Sequence, residues 1–213
     1  NGGAALTVNQ PANPSHAGAL TGPGSLPKSG SGLLTLAGVN SYSGGTTIAG
    51  GTLQLGSGGS LASSGAVTVT GGTFDLNGQD QTVSALSGTG GAMALNGGAA
   101  LTVNQSSDTS YAGTITGTGS LTKSGNGTLV LSGSNSYGGG TTVSDGTLQG
   151  TTSSLQGNIT NNAALVFDQN AAGTYAGSMT GSGALTVSGG GTAALTGSNS
   201  FTGGTTITAG TLL

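Results

Sequence analysis

Acid–base chemistry in this 213-residue chain would fall to one histidine, His16, five aspartates (Asp75, Asp80, Asp108, Asp145 and Asp168) and two lysines, Lys28 and Lys123; arginine, glutamate and cysteine are absent. A general base works beside the proton it takes and is oriented by a third group. His16 is a weak candidate for that role, because the corresponding positions in two sister segments are Tyr111 and Tyr175. A slot that functions as tyrosine is a packing slot, and a surface packing role is expected for His16. No serine has glycine both two before and two after it, so the nucleophile elbow is missing. Asp75 and Asp80 bracket a Leu-Asn-Gly-Gln turn and would offer oxygens to calcium, but that hard cation wants six to eight of them. With no GGxGxDx pattern present, turn-capping is the expected use of these acids. Gly-x-Gly pairs such as Gly117 and Gly119 lack the third glycine and the following helix that phosphate binding requires. Two lysines without arginine exclude nucleic acid and acidic membrane surfaces as partners on electrostatic grounds. No catalytic, cofactor-binding or metal-binding residue is therefore assigned.

The segments that would have to position any such residue repeat. Gly119 to Gln149, GSLTKSGNGTLVLSGSNSYGGGTTVSDGTLQ, matches Gly24 to Gln54 at 21 of 31 positions and Gly183 to Leu213 at 19. Upstream, NGGAALTVNQ occurs at Asn1 to Gln10 and again at Asn96 to Gln105, with a relative, NNAALVFDQ, at Asn161 to Gln169. Three long repeats, 1–95, 96–160 and 161–213, fill the chain as one segment. With 47 Gly and 3% charged residues, a chain without such periodicity would read as low-complexity. Instead, apolar residues alternate in short runs, as in Leu101 and Val103 or Leu129 and Leu131, and Gly, Ser and Asn punctuate every run. That is the period of half-buried strands, so the chain is all-β.

Three Phe and no Trp cannot fill a sandwich. A solenoid needs only a narrow column fed by one or two apolar residues per strand, with stacked Thr, Ser and Asn rows adding order between coils. The repeat offsets are 95 and 64 residues. If equivalent positions share a face, they correspond to four coils of about 24 and three of about 21 residues. The excess lies between Leu55 and Leu95 and reads as one additional coil plus a longer turn. About nine or ten coils at about 4.8 Å give a parallel β-helical rod on the order of 45 Å long. Leu121, Leu129, Leu131, Ile115 and Val143 are expected to point inward. Asn40-Ser41-Tyr42 recurs as Asn135-Ser136-Tyr137 and Asn199-Ser200-Phe201. A row of exposed aromatics for partner contact is one reading; an Asn-mediated turn with the ring packed over a corner is the other, favoured by the loss of the hydroxyl in Phe201.

The pattern GxLTKxGxGTLxLSGxNxYxGGTTxxxGTL, best kept in Gly119 to Leu148, resembles the autotransporter-associated β-strand repeat of bacterial type V secreted passenger domains. The resemblance implies a right-handed parallel β-helix at the cell surface or outside it, exported through an outer-membrane β-barrel belonging to the parent chain. It also implies a stalk, or an adhesin that self-associates or meets other cell-surface proteins or glycans in cell contact, aggregation and biofilms, with no small-molecule substrate; the alternatives are a passive scaffold for a separate enzyme domain and, less favoured, a polysaccharide-active β-helix. Pectin-cleaving enzymes share that fold but need clustered acids and a strong cation, which are missing here. Pro27 for Thr122, Val187 for Lys123 and Ala193 for Leu129 are local departures, and they make the third unit the less well filled. The chain starts and stops inside its repeat pattern, so a piece of a longer protein is expected, whose uncapped terminal coils, Asn1 to Gln10 and Thr205 to Leu213, would stack end to end or fray.

Overall fold

The computed structural model describes residues 6–9 and 12–213. Every strand pairing in it is parallel, each strand bonding to the strand about twenty residues before and after it. The chain thus winds as a β-helix of about ten coils, each with three sides. Face I begins with Leu26–Lys28, Thr46–Ile48 and Ala66–Val69 and continues through Thr109–Tyr111, Thr128–Leu131, Thr147–Gly150, Ala164–Asp168 and Ala184–Ser188. Face II runs from Leu33–Leu36, Thr52–Leu55, Thr73–Asp75 and Ala92–Leu95 to Thr114–Gly117, and resumes at Gly173–Tyr175 and Thr192–Leu195. Face III is the regular stack Gln81–Val83, Ala100–Asn104, Ser120–Ser124, Thr141–Val143, Ile159–Asn161 and Met179–Thr180. A single 3-10 turn, Asn96–Gly98, is the one helical element among the described residues.

The alternation seen in the sequence becomes the inside and outside of the column. Leu121, Leu129, Ile115 and Val143 have no exposed surface and Leu131 has 1%, so the five residues expected inside are there. One column of inward residues, with Phe74, Phe167 and Met93 among its largest, runs the length of the rod. Glycine lets the coils close. At Gly133, a Cβ would overlap the Gly113 carbonyl oxygen of the coil below, so no other residue fits without moving backbone. In the third unit Val187 and Ala193 are buried, while Leu195 and Phe201 are only half-buried, where the second unit has the buried Leu131 and Tyr137.

Equivalent positions of the three units do not all share a face, contrary to the coil count expected from the offsets. Lys28 pairs with Ile48, which pairs with Val69; the face continues through Gly88, Tyr111, Leu131, Gly150 and Phe167 to Val187. Lys28 and Val187, equivalent in the first and third units, are therefore eight whole coils apart on face I. Lys123, their counterpart in the second unit, lies on face III between Val103 and Val143. The offsets of 95 and 64 residues are thus four and two-thirds and three and one-third coils, and the middle unit is turned by one face. The cause is that a 31-residue unit covers five sides, and each side asks for the same thing: one or two inward apolar residues between glycine corners. Nothing in the unit distinguishes one face from the next. Coils run from 17 residues, Gly150 to Phe167, to 23, Gly88 to Tyr111. The segment between Leu55 and Leu95 accordingly contributes an extra coil and one extra side, not an extra coil with a longer turn. Asn1 to Ala5 and Gln10 fall outside the described residues, so the expected open first coil is only partly described.

Candidate functional surface

The residues with chemical potential are used to hold coils together. Period two, which sends Leu121 inward, sends Lys123 inward as well, and both lysines are buried, Lys123 with no exposed surface and Lys28 with 1%. Lys123 Nζ donates to the carbonyl oxygens of Ser124 (2.9 Å), Gly125 (2.6 Å) and Asp145 (3.2 Å). Lys28 Nζ donates to Gly30 O and to Gly50 O (3.0 Å). Each ammonium thus closes a glycine corner where carbonyls of two coils converge. Burial lowers the pKa of both amines, and for Lys123 the Asp145 and Asp108 carboxylates oppose part of that. Lys123→Met keeps the stem and removes the three donors, leaving corner carbonyls unpaired. A loss on the order of 2 kcal/mol is expected, read as a lower melting temperature of the purified chain. An unchanged melting temperature would show that water satisfies the corner as well as lysine does.

The Asn-Ser-aromatic motif is a staple whose Asn side chain replaces a missing stretch of ladder. Asn135 is buried; its Oδ1 accepts from Ile115 N (2.7 Å) one coil below and its Nδ2 donates to Ser154 O (2.5 Å) one coil above. Asn40 does the same between Leu20 N (2.9 Å) and Ser60 O (2.8 Å). The aromatic that follows lies inside: Tyr137 and Tyr42 are buried, with hydroxyls bonded to Thr141 Oγ1 (2.7 Å) and Thr46 Oγ1 (2.6 Å). The reading as an exposed aromatic row for partner contact is therefore overturned. Asn135→Ala leaves a buried N–H and a buried C=O without partners, a cost on the order of 3 kcal/mol, measurable as earlier unfolding in urea. A variant that unfolds at the wild-type urea concentration would refute the staple.

The remaining candidates are scattered. His16 is exposed in the short strand Ser15–His16, paired with Leu36 on face II, whereas Tyr111 is buried on face I and Tyr175 on face II. Asp75 accepts from Asn77 N (3.0 Å), Gln54 Nε2 (2.9 Å) and Asn96 Nδ2 (3.1 Å), which commits both its oxygens to a ladder across three coils. Asp80 and Asp108 accept from the backbone N–H of Ala100 (2.8 Å) and Thr128 (2.7 Å) one coil on, so they join coils, and of the three only Asp75 caps its own turn. No three metal-binding side chains cluster among the described residues.

What the sequence reading did not single out is the outer surface of face III. Its central outward residue is threonine on every rung: Thr82, Thr102, Thr122, Thr142, Thr160 and Thr180 stack in register. The rows on either side are short and mostly polar, with Ser84, Asn104, Ser124, Ser144 and Asn162 on one edge. Faces I and II place Pro27, Thr47, Val130, Gln149, Gln54 and Asp75 at the matching positions. The same backbone is thus built without a uniform row. Listing strands by register, after finding the coil length, would have revealed it.

A parallel β-helix whose polar groups are committed between coils, and whose sides are flat and nearly uncharged, belongs to the class of rod-like surface scaffolds. Residues 26–55, 121–149 and 185–213 match the passenger-associated-transport-repeat family. The chain is also 44% identical over 140 residues to the adhesin BmaC autotransporter of Brucella suis biovar 1 (strain 1330), a match covering 62% of this chain and 4% of that adhesin. No solved structure matches it. The chain carries three repeats of bacterial autotransporter passenger domains, which are exposed on the cell surface or secreted.

Proposed function

We propose that this segment is a non-enzymatic stalk of a bacterial surface adhesin, carried out of the cell by an outer-membrane β-barrel in the parent chain, and that it also associates laterally with copies of itself. The observation that supports self-association best is the threonine ladder of face III, six rungs without an interposed charge. Facing ladders can interdigitate methyl groups and exchange hydroxyl hydrogen bonds, as stacked polar rows do in paired sheets. The whole chain carries a net charge of -3 over 213 residues, so little repulsion opposes contact. Six rungs at about 4.8 Å make a strip about 24 Å long and, at three residues, about 10 Å wide, so its area of about 240 Å² is well short of the roughly 800 Å² per partner of a stable complex. One contact is weak and many rods on a cell surface act together.

Sedimentation velocity of the purified chain over a wide concentration range tests this, beside clumping of cells displaying it. A Thr122→Lys/Thr142→Lys variant places like charges on the ladder without entering the column. Concentration-dependent association lost in that variant is the expected result; a strictly monomeric wild-type chain whose displaying cells do not clump leaves a passive stalk.

A further inference from the structure

Face II is where regular stacking lapses. Strands run up to Thr114–Gly117 and resume at Gly173–Tyr175, and between them the link of the second and third repeats folds as a turn at Thr151–Ser154. Ser154 Oγ accepts from Thr151 N (2.7 Å) and fixes that turn, while residues 169–172 of the next coil form a loop beside it. A cleft of about 660 Å³ lies between the two, within the range of about 300–1,000 Å³ typical of small-molecule sites. Its walls are amides, hydroxyls and small residues, with no charged and no aromatic side chain.

One polar group in this wall is left over. Gln169 is only 6% exposed; its Oε1 accepts from Thr152 N (3.0 Å), but its Nε2 has no hydrogen-bond partner among the described residues. No wholly buried side-chain nitrogen or oxygen among the described residues lacks a partner, so this Nε2 opens to the cleft that Gln169 lines. Gln105, its counterpart in the second repeat, is bonded at both ends: Nε2 donates to Thr128 O (2.6 Å) and Oε1 accepts from Thr109 Oγ1 (3.0 Å). Gln156 has its Nε2 on Ser153 O (2.9 Å), leaving its Oε1 as an acceptor, and Asn170 and Thr174 are exposed at the rim. The cleft thus presents an anchored but unused donor, a nearby acceptor, and rim groups able to do either.

We propose that this cleft binds a neutral, hydroxyl-rich saccharide. Uncharged amides and hydroxyls match sugar hydroxyls in both donor and acceptor roles, and nothing in the wall would compensate a carboxylate or an ammonium group. Without an aromatic platform for a sugar ring, each site binds weakly, and the multiplicity of surface rods supplies avidity. The site is independent of the threonine ladder, which lies on another face, so sedimentation results bear on one reading and sugar binding on the other.

The test uses the 213-residue chain with isotope-labelled side-chain amides, titrated by NMR with two neutral disaccharides, lactose and N,N'-diacetylchitobiose, and with sialyllactose as the charged comparison. The expected result is a saturable shift of the Gln169 amide pair with at least one neutral disaccharide in the millimolar range. Gln169 also braces Thr152, so its removal risks the local fold; Asn170→Trp instead fills the exposed mouth and should weaken binding at least tenfold with an unchanged melting temperature. No Gln169 shift with either neutral sugar, the same shift in Asn170→Trp, or a response to sialyllactose alone would overturn the proposal.

Discussion

Leu129→Asp is expected to unfold the middle of the rod, with a loss of several kcal/mol, whereas Val130→Asp, one residue along, changes stability by no more than about 0.5 kcal/mol. Leu129 has no exposed surface and sits in the column between Thr109 and Leu148, while Val130 is half-buried on the outer side. The comparison with Lys123, equally buried, explains why charge of one sign is tolerated inside and the other is not. The lysine stem carries its ammonium to a glycine corner lined by the carbonyl oxygens of Ser124, Gly125 and Asp145. An aspartate at 129 has a short stem, reaches no corner, and would be left unpaired among the apolar side chains of the column. Because each coil contacts only its neighbours, the damage should be local first: hydrogen exchange should accelerate in the coils around 109, 129 and 148 before the ends. Equal melting temperatures for the two variants would mean that inside and outside have been exchanged.

Leucine alternation and glycine punctuation were enough to identify strands, column and coil number, because in a solenoid those are local properties of each short run. The orientation of the middle unit was not legible. Lys28 and Lys123 look equivalent in sequence, yet they stand on different faces, since the unit's five sides fit any of three starting points. Register between coils is a property of the turns, whose lengths vary from coil to coil without a sequence mark. The threonine ladder stayed hidden for the same reason: Thr82, Thr102, Thr122, Thr142, Thr160 and Thr180 become a row only once coil lengths are fixed. The burial of both lysines was not read from the sequence: alternation in Leu-x-Lys points the lysine inward, but the carbonyl-lined corner that makes this tolerable cannot be seen in a list of residues. Gln169 shows the limit most sharply. It shares its sequence position with Gln105, and only the neighbouring turn decides that one amide is bonded at both ends and the other opens to a cleft.

Alkali should unfold this chain abruptly, and its tyrosines should ionise only as it does so. All four tyrosines, Tyr42, Tyr111, Tyr137 and Tyr175, are buried. Burial pushes Tyr42 up to about 12 and raises the other three as well, the hydrogen bonds from Tyr42 and Tyr137 to Thr46 and Thr141 opposing only part of it. In the unfolded chain these phenols ionise near the ordinary value of 10, so above that pH the unfolded state binds fewer protons than the folded one. Stability then falls as pH rises, by about 1.4 kcal/mol per pH unit for each tyrosine. The lysines act in the opposite sense. Lys28 and Lys123 have folded values lowered from 10.5, so the folded state sheds its protons first and stability rises with pH until the unfolded lysines titrate too. That gain is complete near pH 10.5, beyond which the four phenols act unopposed, at on the order of 5 kcal/mol per pH unit. Tyrosinate absorbance and far-ultraviolet circular dichroism followed together through the alkaline range should change in one coincident step, steeper than a single titration. A gradual tyrosinate curve centred near 10 with an unchanged β-sheet spectrum would place the rings outside the column.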